Sequence, residues 1–224
     1  VPVVVGEYQP EVAHVFEQAA AERGAPLVFA SRQRSSADTT RYALDLHGDY
    51  QQRNLCTVLA ALDCLRERGV FSFSQQDVED GVRTAAAATG LRGRWEQLCD
   101  SPQIICDTAH NVHGLQQTMA QLAHTDCGQL HIVLGMAADK DVAGAAALLP
   151  RSARCYFTQA ANPRALPANA LAAECRAVGL QGAPYPTVAQ ALCAAKASAA
   201  ANDIIYVGGS TFVVADAIKA YANL

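Results

Sequence analysis

Residues 104–114 read IICDTAHNVHG, so a carboxylate (Asp107), two imidazoles (His110 and His113) and an amide (Asn111) follow directly on an apolar run. Three kinds of chemistry fit that cluster. As a metal site, Asp107, His110 and His113 stand at i, i+3 and i+6 and converge on one ion if the turn is helical; a strand-to-helix corner splays them instead. As a structural corner, Asp107 or Asn111 caps the next helix and the imidazoles are solvated. As a nucleotide or acyl-phosphate site, Asp107 accepts hydrogen bonds from a hydroxyl or ammonium group, and His110 meets an anionic group. The motif alone leaves all three open.

The elements around it narrow the choice of place. From about residue 93 onward, short apolar segments (QIICD, LHIVLGM, ARCYFTQA, DIIYVGGS) alternate with Ala-rich helical ones (GLQQTMAQLAH, DVAGAAALL, ANALAAECRAVG, VAQALCAAKASAA, TFVVADAIKAYA). That alternation predicts an α/β, Rossmann-like, doubly wound and mostly parallel sheet. Such sheets bind ligands beyond the carboxyl ends of their strands. The residues that end the strands are Asp107, then Met136 leading into Asp139-Lys140-Asp141, then Thr158-Gln159, then Gly208-Gly209-Ser210.

The first part of the chain is less regular. Residues 2–6 read as a buried strand, PEVAHVFEQAAAERG as a helix with Pro10 near its start and Gly24 past its end, and APLVFA as a second strand. The polar stretch SRQRSSADTT breaks the pattern, and the alternation in RYALDLHG predicts a further strand or edge ribbon. NLCTVLAALDCLRERG places Leu55, Val58, Leu59, Leu62 and Leu65 on one helical face and stops at Gly69. Ser74 with Asp77 makes a capping box for a helix running toward Ala88.

At 224 residues and 51% hydrophobic, the chain is long enough for one large or two smaller cores. A formal charge of -4 without a basic run argues against nucleic acid as partner, and no apolar stretch reaches the roughly 18 residues of a bilayer span. A soluble, cytoplasmic protein is expected. Eight cysteines without a CxxC read as reduced, mostly buried thiols rather than disulfides or zinc ligands.

Five segments in order, GDYQQRNLCTVLAAL, LRGRWE, DTAHNVHG, LGMAADKD and VGGSTFVVADAI, resemble the C-terminal half of the folylpolyglutamate synthase and dihydrofolate synthase family of the Mur ligase superfamily. The resemblance implies a Mur ligase C-terminal-type domain over residues 93–224. Residues 1–92 are then the tail of the central ATP-binding domain. It implies ATP-dependent addition of L-glutamate to a folate or dihydropteroate carboxylate through an acyl phosphate, with ATP and Mg²⁺ as cofactors. By position, Asn54 contacts adenine and Arg94 the ATP phosphates. Asp107 and His110 stand where ribose, terminal phosphate and glutamate meet and are the catalytic candidates, and Ser210 helps hold glutamate. Lys140 matches a recurring position with no role assigned beyond supporting the same face. Tyr50 stands where the family often has histidine, and Val112 where proline usually follows Asn111.

No GxxxxGK[ST] occurs in the 224 residues, so the phosphate cradle, most metal ligands and most of the folate pocket are expected on a missing N-terminal P-loop domain. The chain begins at Val1 inside an apparent strand and reads as part of a longer, monomeric parent, inactive alone. Two other functions remain in view: a non-catalytic Rossmann-like module binding a nucleotide or amino acid, and a sibling ligase acting on a cell-wall precursor. Against the first, DTAHN stands where a GxGxxG would follow the first strand of the regular domain.

Overall fold

The computed structural model describes residues 1–69 and 71–223. Val70 and Leu224, which fall within the two expected domains, lie outside the described residues. The chain divides into two compact units, Val1–Gly90 and Leu91–Leu224.

In the first unit β1 (Val3–Val5) pairs parallel with β2 (Leu27–Phe29) through the crossover helix α1 (Pro10–Glu22). Pro10 opens α1, and Gly24 just beyond it takes φ +56, which only glycine adopts without cost. β1 is less covered than expected, Val3 being exposed. The polar stretch holds a short α2 (Ala30–Gln33) and a 3₁₀ turn at Ser36–Thr39, and α3 (Tyr50–Glu67) follows. The Ser74–Asp77 capping box is formed and opens α4 (Gln75–Arg83). Instead of one helix to Ala88 there are two, because the backbone turns at Thr84 before α5 (Ala85–Thr89).

No strand forms over RYALDLHG. Its alternation is nevertheless a burial pattern: Tyr42 is in the small core with Leu55, Leu59 and Val78, and Leu44 packs on that core. Alternation reported which side chains face inward, whereas a ladder also needs a partner strand. Val58, expected on the packed face of α3, stands half-exposed on an apolar groove.

The second unit carries a six-stranded sheet in the order β3-β4-β8-β5-β6-β7. Its strands are β3 (Glu96–Asp100), β4 (Gln103–Cys106), β5 (Leu130–Leu134), β6 (Arg154–Phe157), β7 (Gly182–Pro184) and β8 (Ile204–Gly208). All pairs are parallel except β3 with β4. Alternate residues divide between two cores. Ile105, Ile132, Leu134, Phe157 and Tyr206 pack on one face, against α6 (Val112–Ala123), α7 (Val142–Ala147) and α8 (Ala168–Ala177). Ile104, Cys106, Val133, Ile205 and Val207 pack on the other, against α9 (Val188–Ser198) and α10 (Thr211–Tyr221). The sheet is doubly wound, as the sequence pattern predicts. β4 exits to α6 on one face while its neighbour β8 exits to α10 on the other, which opens a crevice at the carboxyl ends of those strands. Cys56, Cys106, Cys155 and Cys175 are buried, Cys64 and Cys99 half-buried, and Cys127 and Cys193 exposed.

Candidate functional site

The corner after β4 is held from within. The Asp107 N–H continues the ladder to the Val207 carbonyl at 3.0 Å, so its side chain starts where the strand ends. Asp107 is 1% exposed. One carboxylate oxygen accepts the Trp95 N–H and the other the Ala109 N–H, each at 2.8 Å. The next helix is capped by Asn111, whose Oδ1 accepts the Gly114 N–H at 2.8 Å. Asp107 and Asn111, alternatives on the structural reading, therefore divide the work: Asp107 ties the turn and Asn111 caps α6.

His110 is exposed at this corner, its Nδ1 3.1 Å from the Thr108 carbonyl. A carbonyl only accepts, so Nδ1 carries a proton and Nε2 is left to meet a ligand. His113 is exposed in the first turn of α6. Among the described residues there is no group of three or more His, Cys, Asp or Glu able to hold a metal ion.

A cleft of about 240 Å³ lies at the carboxyl ends of β5, β6 and β8. Its polar wall is His110, Lys140, Asn162, Arg164 and Ser210, and Phe212 stands half-exposed at its side. Two loops close on each other to make it. The Ala138 N–H donates to the Arg164 carbonyl and the Leu166 N–H to the Met136 carbonyl, both at 2.9 Å, with a bridge between Ala137 and Ala165. Lys140 and Arg164, 24 positions apart in sequence, thereby flank one carboxylate: Arg164 Nη2 is 3.2 Å from both oxygens of Asp139, and Lys140 Nζ is 3.6 Å from one. The Arg164 hydrogen bonds hold the Asp139 carboxyl below its ordinary range.

The loop after β8 comes to the same place. Gly209, at φ +88, donates its N–H to the Ala109 carbonyl at 3.1 Å, and a Cβ there would lie 2.7 Å from the Gly135 carbonyl oxygen. Only glycine fits. Ser210 follows, 8% exposed, capping α10 through the Phe212 N–H at 3.2 Å while also lining the cleft.

Of the residues named from sequence, His110, Ser210 and Lys140 thus share one cleft. Asp107 stands behind it, buried, and does not line it. Arg94 is exposed at the corner before β3, its guanidinium donating to the Thr108 hydroxyl. Asn54 belongs to the first unit, where its Nδ2 donates to Gln51 Oε1 at 2.8 Å at the edge of the apolar groove between α3 and α4. Sequence reasoning misses Asn162 and Arg164, since the pairing of two loops brings them to the cleft. The one sequence clue was that they follow Thr158-Gln159, a strand end already singled out.

The model of the Mur ligase glutamate ligase domain matches residues 93–211, more than half of the chain. The chain belongs to the Mur ligase family. Its similarity is to the folylpolyglutamate synthase and dihydrofolate synthase members. The chain is 32% identical to the dihydrofolate synthase/folylpolyglutamate synthase of Escherichia coli over 97% of its own length and 51% of that relative's. It is 36% identical to the Mycobacterium tuberculosis enzyme of the same name over 58% of this chain and 26% of the other. Among solved structures it resembles E. coli FolC in complex with DHPP and ADP, with TM-score 0.79 and 30% identity, covering 99% of this chain and 53% of that one. A bifunctional folylpolyglutamate synthase/dihydrofolate synthase with Mn, AMPPNP and L-glutamate bound superposes with TM-score 0.76 at 26% identity, over 100% of this chain and 53% of the other. The chain spans about half the length of the E. coli relative and of these solved structures. No described helix is long and apolar enough to cross a membrane.

Proposed function

We propose that this Mur ligase contributes the amino-acid half of an ATP-dependent ligase that adds L-glutamate to a folate or dihydropteroate carboxylate through an acyl phosphate. The observation that carries this reading is the cleft with Lys140, Arg164, His110 and Ser210 on its wall. Two cations suit an amino acid with two carboxylates, and the fixed guanidinium plane and mobile ammonium suit them differently. Met136, Ala160 and Ala165 give the methylene chain an apolar side. Glutamate in this cleft has its amine near His110, facing the acyl carbon to be attacked.

For ATP, Asn54 offers an amide at the rim of an apolar groove, a combination that suits a purine edge and face. Arg94, exposed and permanently charged, suits the phosphates. Asp107 supports the turn that carries Arg94 from behind, through the Trp95 N–H. For Mg²⁺ the described residues offer no ligand cluster, and no step is assigned through it. A divalent metal, the folate pocket and the phosphate cradle are taken to belong to other parts of the intact protein, and cytoplasmic location follows from the same reading.

Steady-state kinetics on the intact protein tests the assignment. Arg164→Met and Lys140→Met are each expected to raise KM for glutamate by about tenfold or more, the size of a lost charge-assisted hydrogen bond, with KM for ATP nearly unchanged. Asn54→Ala is expected to do the reverse. An unchanged KM for glutamate in both cation variants overturns the placement of the amino acid. A UDP-N-acetylmuramoyl-L-alanyl-D-glutamate–2,6-diaminopimelate ligase of Janthinobacterium is 30% identical over 48% of this chain and 20% of that relative. Turnover with such a cell-wall precursor and none with folates would favour the sibling reading.

A further inference from the structure

The corner that presents Arg94 contains a bulky residue in a backbone region that side chains avoid. Trp95 has φ +52, and among the described residues it is the non-glycine with positive φ. The residue is 8% exposed and belongs to the core cluster that includes Ile105 and Leu115. A glycine would make the same turn without strain, so a tryptophan here persists only because its surroundings fix it.

Those surroundings are specific. The Trp95 N–H donates to Asp107 at 2.8 Å, and the Thr108 N–H donates to the Gly93 carbonyl at 2.9 Å, so Gly93-Arg94-Trp95 is tied to Asp107-Thr108 on both sides of the arginine. Gly93 has no freedom either: its φ is +72, and an added Cβ would lie 2.7 Å from Val214 Cγ1 and 2.9 Å from Thr108 Cγ2. Below, the tryptophan ring anchors the turn in the core. Above, the Arg94 guanidinium meets the Thr108 hydroxyl. The second oxygen of Asp107 holds the Ala109 N–H, one residue before His110. One buried carboxylate thus fixes both the turn that aims Arg94 and the turn that aims His110.

We propose that Trp95 is a positioning residue: its left-handed backbone, clamped by Asp107 and anchored through its ring, sets where the Arg94 guanidinium stands for the nucleotide phosphates. This rests on the reading of Arg94 given above. The arginine reaches its place before ligand arrives, so binding does not have to order it. A flexible glycine at position 95 would release the turn while keeping the arginine itself.

A double-mutant cycle on the intact protein separates positioning from packing. Arg94→Met is expected to raise KM for ATP by about tenfold or more, and Trp95→Gly by about fivefold, with KM for glutamate moving less than about twofold in either. In the double variant the Trp95 change is expected to add nothing to KM for ATP, because the group it aims is gone. Trp95→Phe, which keeps an anchored ring on the same backbone, is expected to restore the parent KM. A full multiplicative effect in the double variant, or a lowered Tm with unchanged KM for ATP in Trp95→Gly, overturns the proposal while leaving the role of Arg94 intact. No effect of Arg94→Met on KM for ATP overturns both. Should Trp95→Gly not fold, Trp95→Leu, which keeps an apolar side chain but loses the anchoring ring, enters the same cycle with the same expected non-additivity.

Discussion

Asp203 shows how a buried carboxylate can serve the fold far from any ligand. It precedes β8, at the end of the sheet opposite the cleft, and takes the Gln129 N–H on one oxygen at 2.8 Å. On the other it takes the Ala200 N–H at 2.7 Å and lies 3.2 Å from His131 Nε2, while His131 Nδ1 is 3.0 Å from the Tyr156 hydroxyl. The Ala200 amide first, then the Gln129 amide and His131, hold the Asp203 carboxyl below its ordinary range, against the opposing effect of burial. A carboxyl that binds its proton less tightly folded than unfolded contributes its full stability above the unfolded value and loses it as pH falls through the folded one. Tm measured against pH should therefore show the parent falling toward Asp203→Asn as pH drops below about 5 and on through the lowered folded value. A Tm gap that stays constant over the acid range would show that the Asp203 charge does not support the fold. This network was not legible in sequence, because Gln129, His131, Tyr156 and Asp203 are joined only by the pairing of strands.

At the scale of elements, legibility followed the kind of signal. Helices with caps or terminators, such as the Ser74 box and the Pro10 to Gly24 span, were readable because their signals are local. The four inner strands were readable as apolar runs between Ala-rich helices. The edges were not: β3 pairs antiparallel with a register shift between Gln97 and Cys99, and β7 is three residues, Gly-Ala-Pro, with no apolar run to announce it. Of the candidate cleft, His110, Lys140 and Ser210 are readable at the ends of apolar runs, whereas Arg164 is hidden because two loops zip together to bring it beside Lys140. The cap at Asn111 is where element and site meet, since α6 starts one residue after it. Asn111→Ala leaves the Gly114 N–H without its acceptor and should lower unfolding free energy by about 1 kcal/mol, read from urea titration. Asn111→Asp, which keeps an acceptor at the helix start, should lose little. Equal losses in the two variants would show that the cap is not what Asn111 contributes.

At the scale of the molecule, the two units differ in what holds them. In the second, β8 is paired on both sides, with β4 and β5, and all five of its residues are buried between two helical layers. In the first, β1 and β2 pair with each other over three residues each, and the buried cluster is Tyr42, Leu55, Leu59 and Val78. A backbone hydrogen bond opens with the free energy of the smallest cooperative unit that exposes it, so bonds at a short, partly exposed ladder break without disturbing a core. Amide hydrogen exchange on this chain should accordingly be slowest in residues 204–208, nearly as slow in 103–106 and 130–134, and faster by orders of magnitude in 3–5 and 27–29. Raising urea within the folded range should speed the first group steeply, because its opening is global, and barely change the second. Equal protection of both groups would mean that the two units open as one, and that the small β1–β2 ladder draws its stability from more than its own three pairs.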